Sequence, residues 1–136
     1  MTKNMYLNLA VKDLQKSKAF FTALGFSFNK QFTNNDGACL VLGQNIYAML
    51  LTEKFFKTFT AKQLAETGKT VECIICIDAE SREAVDEIVK KAFEAGAGKH
   101  NDVQDHGWMY ANGFEDLDGH LWEIAYMDAN AAPQQV

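Results

Sequence analysis

Leu9-Ala-Val-Lys-Asp-Leu-Gln-Lys-Ser-Lys-Ala-Phe-Phe-Thr-Ala-Leu-Gly-Phe26 is the stretch on which the fold turns. Its opening continues an alternation that begins at Tyr6. Leu7, Leu9 and Val11 share one face and Tyr6, Asn8 and Ala10 the other, as in a strand buried on one side. Asp13 stands where a helix N-cap is wanted, because its carboxylate can accept from the free amides of the first turn. Ser17, Phe20, Phe21 and Leu24 recur at helical spacing, and Gly25 offers the left-handed residue that ends a helix. Downstream, Phe26, Phe28 and Phe32 alternate with polar residues and predict a second strand. Asp36-Gly37 predicts a tight turn, residues 38–42 a third strand, Gly43-Gln44-Asn45 a further turn, and residues 46–51 a fourth strand.

The same order returns later. Residues 71–77 read as a strand. Ser81 opens a helix whose Ala84, Val85, Ile88, Val89 and Ala92 form an apolar stripe, with Glu83 early and Lys90-Lys91 late to suit its dipole. Gly96 and Gly98 stop it. Short strands follow over 99–103 and 108–113, then a turn at Asp118-Gly119 and a last strand over 120–127. The strand, Asp and helix opening at Val11-Asp13 matches that at Ile77-Asp78, and Gly25 matches Gly96. Two such halves, each too small for a good core alone, are expected to form one domain over 1–128. The halves cover about 4–52 and 70–128. Residues 53–69, with Phe55, Phe56 and Phe59, read as a linker holding a short helix or ordered loop, and 129–136 as a flexible tail.

Composition narrows the function. The 136 residues are 48% hydrophobic and 23% charged, the balance of a folded globular chain. Net charge is -5 with the signs interspersed, so no basic stripe is present to meet a nucleic acid backbone. No apolar run is long enough for a membrane helix, and the N-terminus has no apolar signal core. Cys39, Cys73 and Cys76, an odd number in apolar strand-like runs, predict buried reduced thiols in a cytoplasmic protein. The Cys73–Cys76 spacing lacks the second ligand pair that a zinc site needs.

The stretch quoted above, together with Phe114-Glu-Asp-Leu-Asp-Gly-His-Leu-Trp-Glu-Ile124, resembles the vicinal oxygen chelate superfamily. That superfamily includes glyoxalase I, bleomycin-resistance and fosfomycin-resistance proteins and extradiol dioxygenases. The first stretch is similar to its opening strand and helix, the second to its final hairpin. The resemblance implies an α+β fold of two tandem βαβββ modules whose curled, cup-shaped mixed sheets enclose a site, often completed in a homodimer. It also implies a divalent metal (Zn, Ni, Fe or Mn) held by the first and last strands of each half. Carried over by position, those ligands fall on Glu123, Glu72, Tyr6 and either Tyr47 or Met49. Only the two glutamates suit a hard cation.

Other residues join this group as candidates. His106 has an imidazole able to carry a proton near neutral pH, and with Glu123 it is a candidate catalytic residue. If the segment around it is strand, His106, Trp108 and Tyr110 share a face. Tyr6, Asn8, Tyr47, Trp108 and Tyr110 are candidate substrate-binding residues, on strand faces turned away from the helices. His100 and His120 read as surface residues, and Phe20, Phe21, Phe26 and Phe28 as core.

Two readings of function follow, and both stay open at this level. One is a metal-dependent lyase or isomerase of a small oxygenated substrate, built on Glu72 and Glu123. The other is a metal-free protein that sequesters an aromatic or hydrophobic small molecule, as the bleomycin-resistance branch does. The single arginine, Arg82, is a poor endowment for capturing carboxylates or phosphonates, while ten Phe, four Tyr and two Trp suit an aromatic, cationic ligand.

Overall fold

A computed structural model describes residues 1–131 and 133. The chain divides into two compact units, Met1–Glu66 and Thr67–Val136. The first contains β1 (Met5–Val11), α1 (Leu14–Ala23), β2 (Ser27–Asn29), a 3-10 turn (Lys30–Phe32), β3 (Gly37–Gly43), β4 (Ile46–Thr52) and α2 (Glu53–Phe56). The second contains β5 (Ile74–Asp78), α3 (Arg82–Glu94), β6 (Gly98–Lys99), β7 (Gln104–Asp105), β8 (Met109–Glu115) and β9 (Leu121–Met127). Each unit therefore follows the βαβββ order, and the second adds β7 on the edge of β8.

The sheets repeat one topology. The orders are β1-β4-β3-β2 and β5-β9-β8-β6. In each, the first strand runs parallel to the last, and the remaining neighbours are antiparallel. Parallel neighbours need a crossover, and the helix supplies it while covering one face of its sheet. In the first unit that covered face carries Leu9, Val11, Ala38, Leu40, Ala48 and Leu50, buried with Leu14, Phe20 and Phe21 of α1. In the second, Phe114, Trp122 and Ile124 are buried with Val85, Val89 and Ala92 of α3.

Local chemistry sets the element ends. The Asp13 carboxylate accepts from the Lys16 amide at 3.0 Å, and the Ser81 hydroxyl accepts from the Ala84 amide at 3.0 Å, so both helices start at the residues that the sequence marks. Gly25 and Gly96 end them with positive φ. The strand expected through Phe32 stops at Asn29. The Asn29 side chain accepts from the Gln31 amide at 3.0 Å, which diverts the backbone into the 3-10 turn. The strand expected over 71–77 starts only at Ile74, leaving Glu72 ahead of it. The region 99–103 is shared between the end of β6 and a loop. Part of the expected tail, residues 132 and 134–136, lies outside the described residues; before it, the Ala131 amide donates to the Asp128 carbonyl in a turn.

The β8–β9 hairpin is organised by one buried carboxylate. Asp116 is 8% exposed and accepts from the Trp122 indole N–H at 2.9 Å and from the amides of Asp118 and His120 at 2.9 and 3.0 Å. Burial pushes its pKa up, against the pull of His120 and of these donors. The hairpin also fits closely against residues 67–68, where the Thr67 hydroxyl donates to the Asp118 carbonyl. A Cβ on Gly119, whose φ is 86°, would stand 2.4 Å from the Thr67 carbonyl oxygen; one on Gly107, φ 81°, would meet nothing within 4 Å. Gly107→Ala is therefore expected to cost about 1 kcal/mol for left-handed backbone alone. Gly119→Ala is expected to cost at least about twice that in urea unfolding, because main chain has to move as well. Equal losses at the two positions would show that residues 67–68 do not press on the hairpin in solution.

Candidate functional site

Alternation along each strand sends every second side chain to the face opposite the helix, here the open face. In the first unit, pairing of Tyr6 with Tyr47 and of Asn8 with Met49 places all four side chains there, next to Val41 and Cys39 of β3. The open face is closed at one end, where Cys39 and Leu51 are buried, and exposed at the other, where Tyr6 is 57% exposed. There the Tyr6 and Tyr47 rings stack with centroids 5.0 Å apart and planes 13° from parallel. Such a pair is worth about 1 kcal/mol and presents a flat aromatic platform. The structure thus brings Tyr6, Asn8 and Tyr47 together. No charged residue lies on β1, β3 or β4.

In the second unit Glu123 is half-buried on the open face, paired in register with Cys76 of β5 and Gly113 of β8. Cys76 is exposed; burial of its sulfur, Glu123 and Asp78 together push its pKa up. Cys73 is exposed as well, so only Cys39 is the buried thiol that the sequence predicted. The expectation failed because Cys73 precedes β5 and Cys76 faces away from the helix. Glu72 is exposed in the irregular segment before β5.

His106, Trp108 and Tyr110 do not share a strand face. His106 is exposed in the turn between β7 and β8, its amide donating to the Met109 carbonyl at 2.8 Å, and Trp108 is half-buried just before β8. Tyr110 lies on the helix-covered face rather than the open one. Its hydroxyl donates to the Asp86 carboxylate of α3 at 2.6 Å. The Arg82 guanidinium sits over its ring, 5.0 Å from the centroid, and donates to both Asp105 oxygens at 2.7 and 3.1 Å and to the Gly107 carbonyl at 2.9 Å. Tyr110, Arg82 and Asp105 thus tie the β7–β8 hairpin to the start of α3. The only arginine of the chain is spent on that tie.

Two polar residues were not expected here. Asp116 orders the final hairpin, and a hint existed in the sequence, since Asp-Leu-Asp-Gly followed by Trp122 can supply acceptor and donor across a turn. His100 was read as surface, yet its Nε2 is buried without a hydrogen-bond partner among the described residues. No sequence signal could have found it, because the contact is with a glycine thirteen positions away on β8.

A family model described as bleomycin resistance protein-like N-terminal matches residues 3–43. Among solved structures, a hypothetical protein from S. aureus is 30% identical, with a TM-score of 0.79 over 93% of this chain and 94% of that one. The chain has the fold of glyoxalase/bleomycin resistance protein/dioxygenase structures, the fold that the resemblance implies. A glyoxalase/bleomycin resistance protein/dioxygenase family enzyme from Burkholderia phytofirmans shares its fold at 18% identity and a TM-score of 0.73, covering 90% of this chain and 96% of that one. The fosfomycin resistance protein FosX from Listeria monocytogenes does so at 18% identity and 0.70, covering 96% and 97%. No curated protein matches. No helix among the described residues is long and apolar enough to cross a membrane.

The superfamily's metal chemistry can be tested against these donors. Tyr6, Tyr47 and Met49 offer phenols and a thioether where a hard cation wants imidazole or carboxylate. Glu72 lies outside β5, and among the described residues no three His, Cys, Asp or Glu side chains converge as a ligating group. The donor set does not fit a divalent metal within either unit.

The hairpin tie carries a pH signature. Its hydrogen bonds to Arg82 and to the Gly107 amide hold the Asp105 carboxyl down at about 2. A depressed folded-state pKa means the stabilisation is present above the ordinary carboxylate range of about 4 and is lost as pH falls through the folded value. The Gly107 amide resonance is expected to titrate with a midpoint near 2 and to lose that step in Asp105→Asn. A midpoint at the ordinary carboxylate value would show that the Arg82 pair is not formed in solution.

Proposed function

We propose that this chain is a small-molecule binding protein of the bleomycin-resistance kind, holding a flat aromatic ligand on the Tyr6–Tyr47 platform without chemical conversion. The observation that carries this reading is the stacked, solvent-facing tyrosine pair on a strand face that carries no charged residue. A planar ligand can extend such a stack, and Asn8 beside it offers one donor and one acceptor to fix orientation. The match of residues 3–43 to a bleomycin resistance protein-like model supports the same reading, since it spans β1 through β3.

Charge favours a cationic aromatic over an anionic one. Net charge is -5, and the Arg82 fork is committed to Asp105, so a phosphonate or a glutathione conjugate would find no bidentate arginine. An aromatic cation gains from both the protein field and the ring faces.

Bleomycin and the planar cation proflavine are suitable probes. At least one is expected to raise the thermal midpoint of the wild-type chain in proportion to the logarithm of its concentration. Tyr6→Ala and Tyr47→Ala should each weaken binding about tenfold, the loss of one aromatic contact and its buried area. Unchanged affinity in both variants would refute the platform. A stoichiometric divalent metal that survives purification without chelator, and is lost in Glu123→Ala, would favour the metal-dependent enzyme instead.

A further inference from the structure

Resting on the aromatic platform argued above, we propose that Asn8 selects the ligand, favouring a planar heteroaromatic whose edge sets a donor beside an acceptor, as a lactam does. The platform alone accepts any flat ring, so discrimination has to come from polar groups around it. On the open face of β1, β3 and β4 these are few. Ala10, Val41, Met49 and Leu51 bring no strong donor or acceptor, and the Cys39 thiol is buried. That leaves the two tyrosine hydroxyls and the Asn8 carboxamide. Asn8 is exposed, and its side chain makes no hydrogen bond with any described residue.

Position puts Asn8 within reach of a stacked ring. β1 is the edge strand of its sheet, and Tyr6, the more exposed member of the pair, is the outer ring of the stack. A third ring laid against Tyr6 therefore stands at β1, the strand that also bears Asn8. Side chains two apart on one strand face are about 7 Å from each other, a step that a two-ring system spans. The edge presented to Asn8 then decides how well the ligand is held. A carboxamide sets one acceptor beside two donors in a plane. A lactam, or an amino group next to a ring nitrogen, answers both in the same plane, as when Asn reads the edge of adenine. A carboxylate offers acceptors alone and an amidinium donors alone, so each meets half of the carboxamide. A positive charge elsewhere on the ring system remains compatible with the acidic protein.

The test is an NMR titration with carbostyril, a bicyclic lactam, and with N-methylcarbostyril, which keeps the plane and the carbonyl but has lost the donor. The wild-type chain should bind carbostyril about fivefold more tightly than the methylated compound, and carbostyril should shift the Asn8 side-chain amide resonances saturably. Asn8→Ala should weaken carbostyril to the level of its methylated counterpart, so that the preference disappears. A preference that survives in Asn8→Ala would show that other residues exclude the methyl group, and would overturn the proposal. Tyr6→Ala should weaken both compounds alike. If the wild-type chain binds both equally with the Asn8 amide unmoved, while Tyr6→Ala still weakens both, selection by Asn8 is refuted and the platform stands. If neither compound binds and proflavine and bleomycin do not either, the platform falls and this inference with it. The Asn8 amide shift is read in the unaltered chain, so the outcome does not hang on a variant that fails to fold.

Discussion

The parallel pairing of the first strand of each unit with its last is the constraint on which everything else rests. Because β1 runs beside β4 and β5 beside β9 in the same direction, the chain must cross over one face of each sheet, and a helix does so. That face is then fully committed to apolar packing. The opposite face inherits the other half of every strand's side chains, with no helix of its own to bury them. Period-two alternation does the sorting: Leu9 and Val11 go to the helix, Tyr6 and Asn8 do not; Trp122 and Ile124 go to the helix, Glu123 does not.

Polar groups divide along the same line. Those that serve the architecture are fully partnered. Asp116 meets an indole and two amides, and Arg82 uses its fork on Asp105 and Gly107 while lying over Tyr110. Those on the open faces are left with capacity to spare: the tyrosine pair presents an aromatic plane to solvent, and the buried His100 Nε2 has no hydrogen-bond partner among the described residues. Folding energy accounts for the first group and does not account for the second, which is why the second reads as function.

The repeat, the helix starts and the final hairpin were legible in the sequence because each rests on short-range chemistry. Asp13, Ser81, Gly25 and Gly96 act on residues within one turn, and alternation fixes which side chains of β1 and β4 share a face. The aromatic group around Tyr6 could be anticipated for that reason. Misreadings came where a local bond or a long-range contact decided. The Asn29 side chain cut β2 short. Tyr110 was drawn to the helix side by register with Tyr126, and its partners Asp86 and Arg82 lie 24 and 28 positions upstream. His100 depends on a glycine on another strand, and nothing in its own neighbourhood announces that.

Cys76 is an exposed thiol on the open face of β5, the edge strand of its sheet, a position that would ordinarily invite oxidation or alkylation. Attack on peroxides and electrophiles proceeds through the thiolate, and burial of the sulfur, Glu123 and Asp78 all disfavour that form. Reach and reactivity are thereby separated at this sulfur. An electrophile that reaches β5 meets a sulfhydryl biased toward its slower-reacting protonated form.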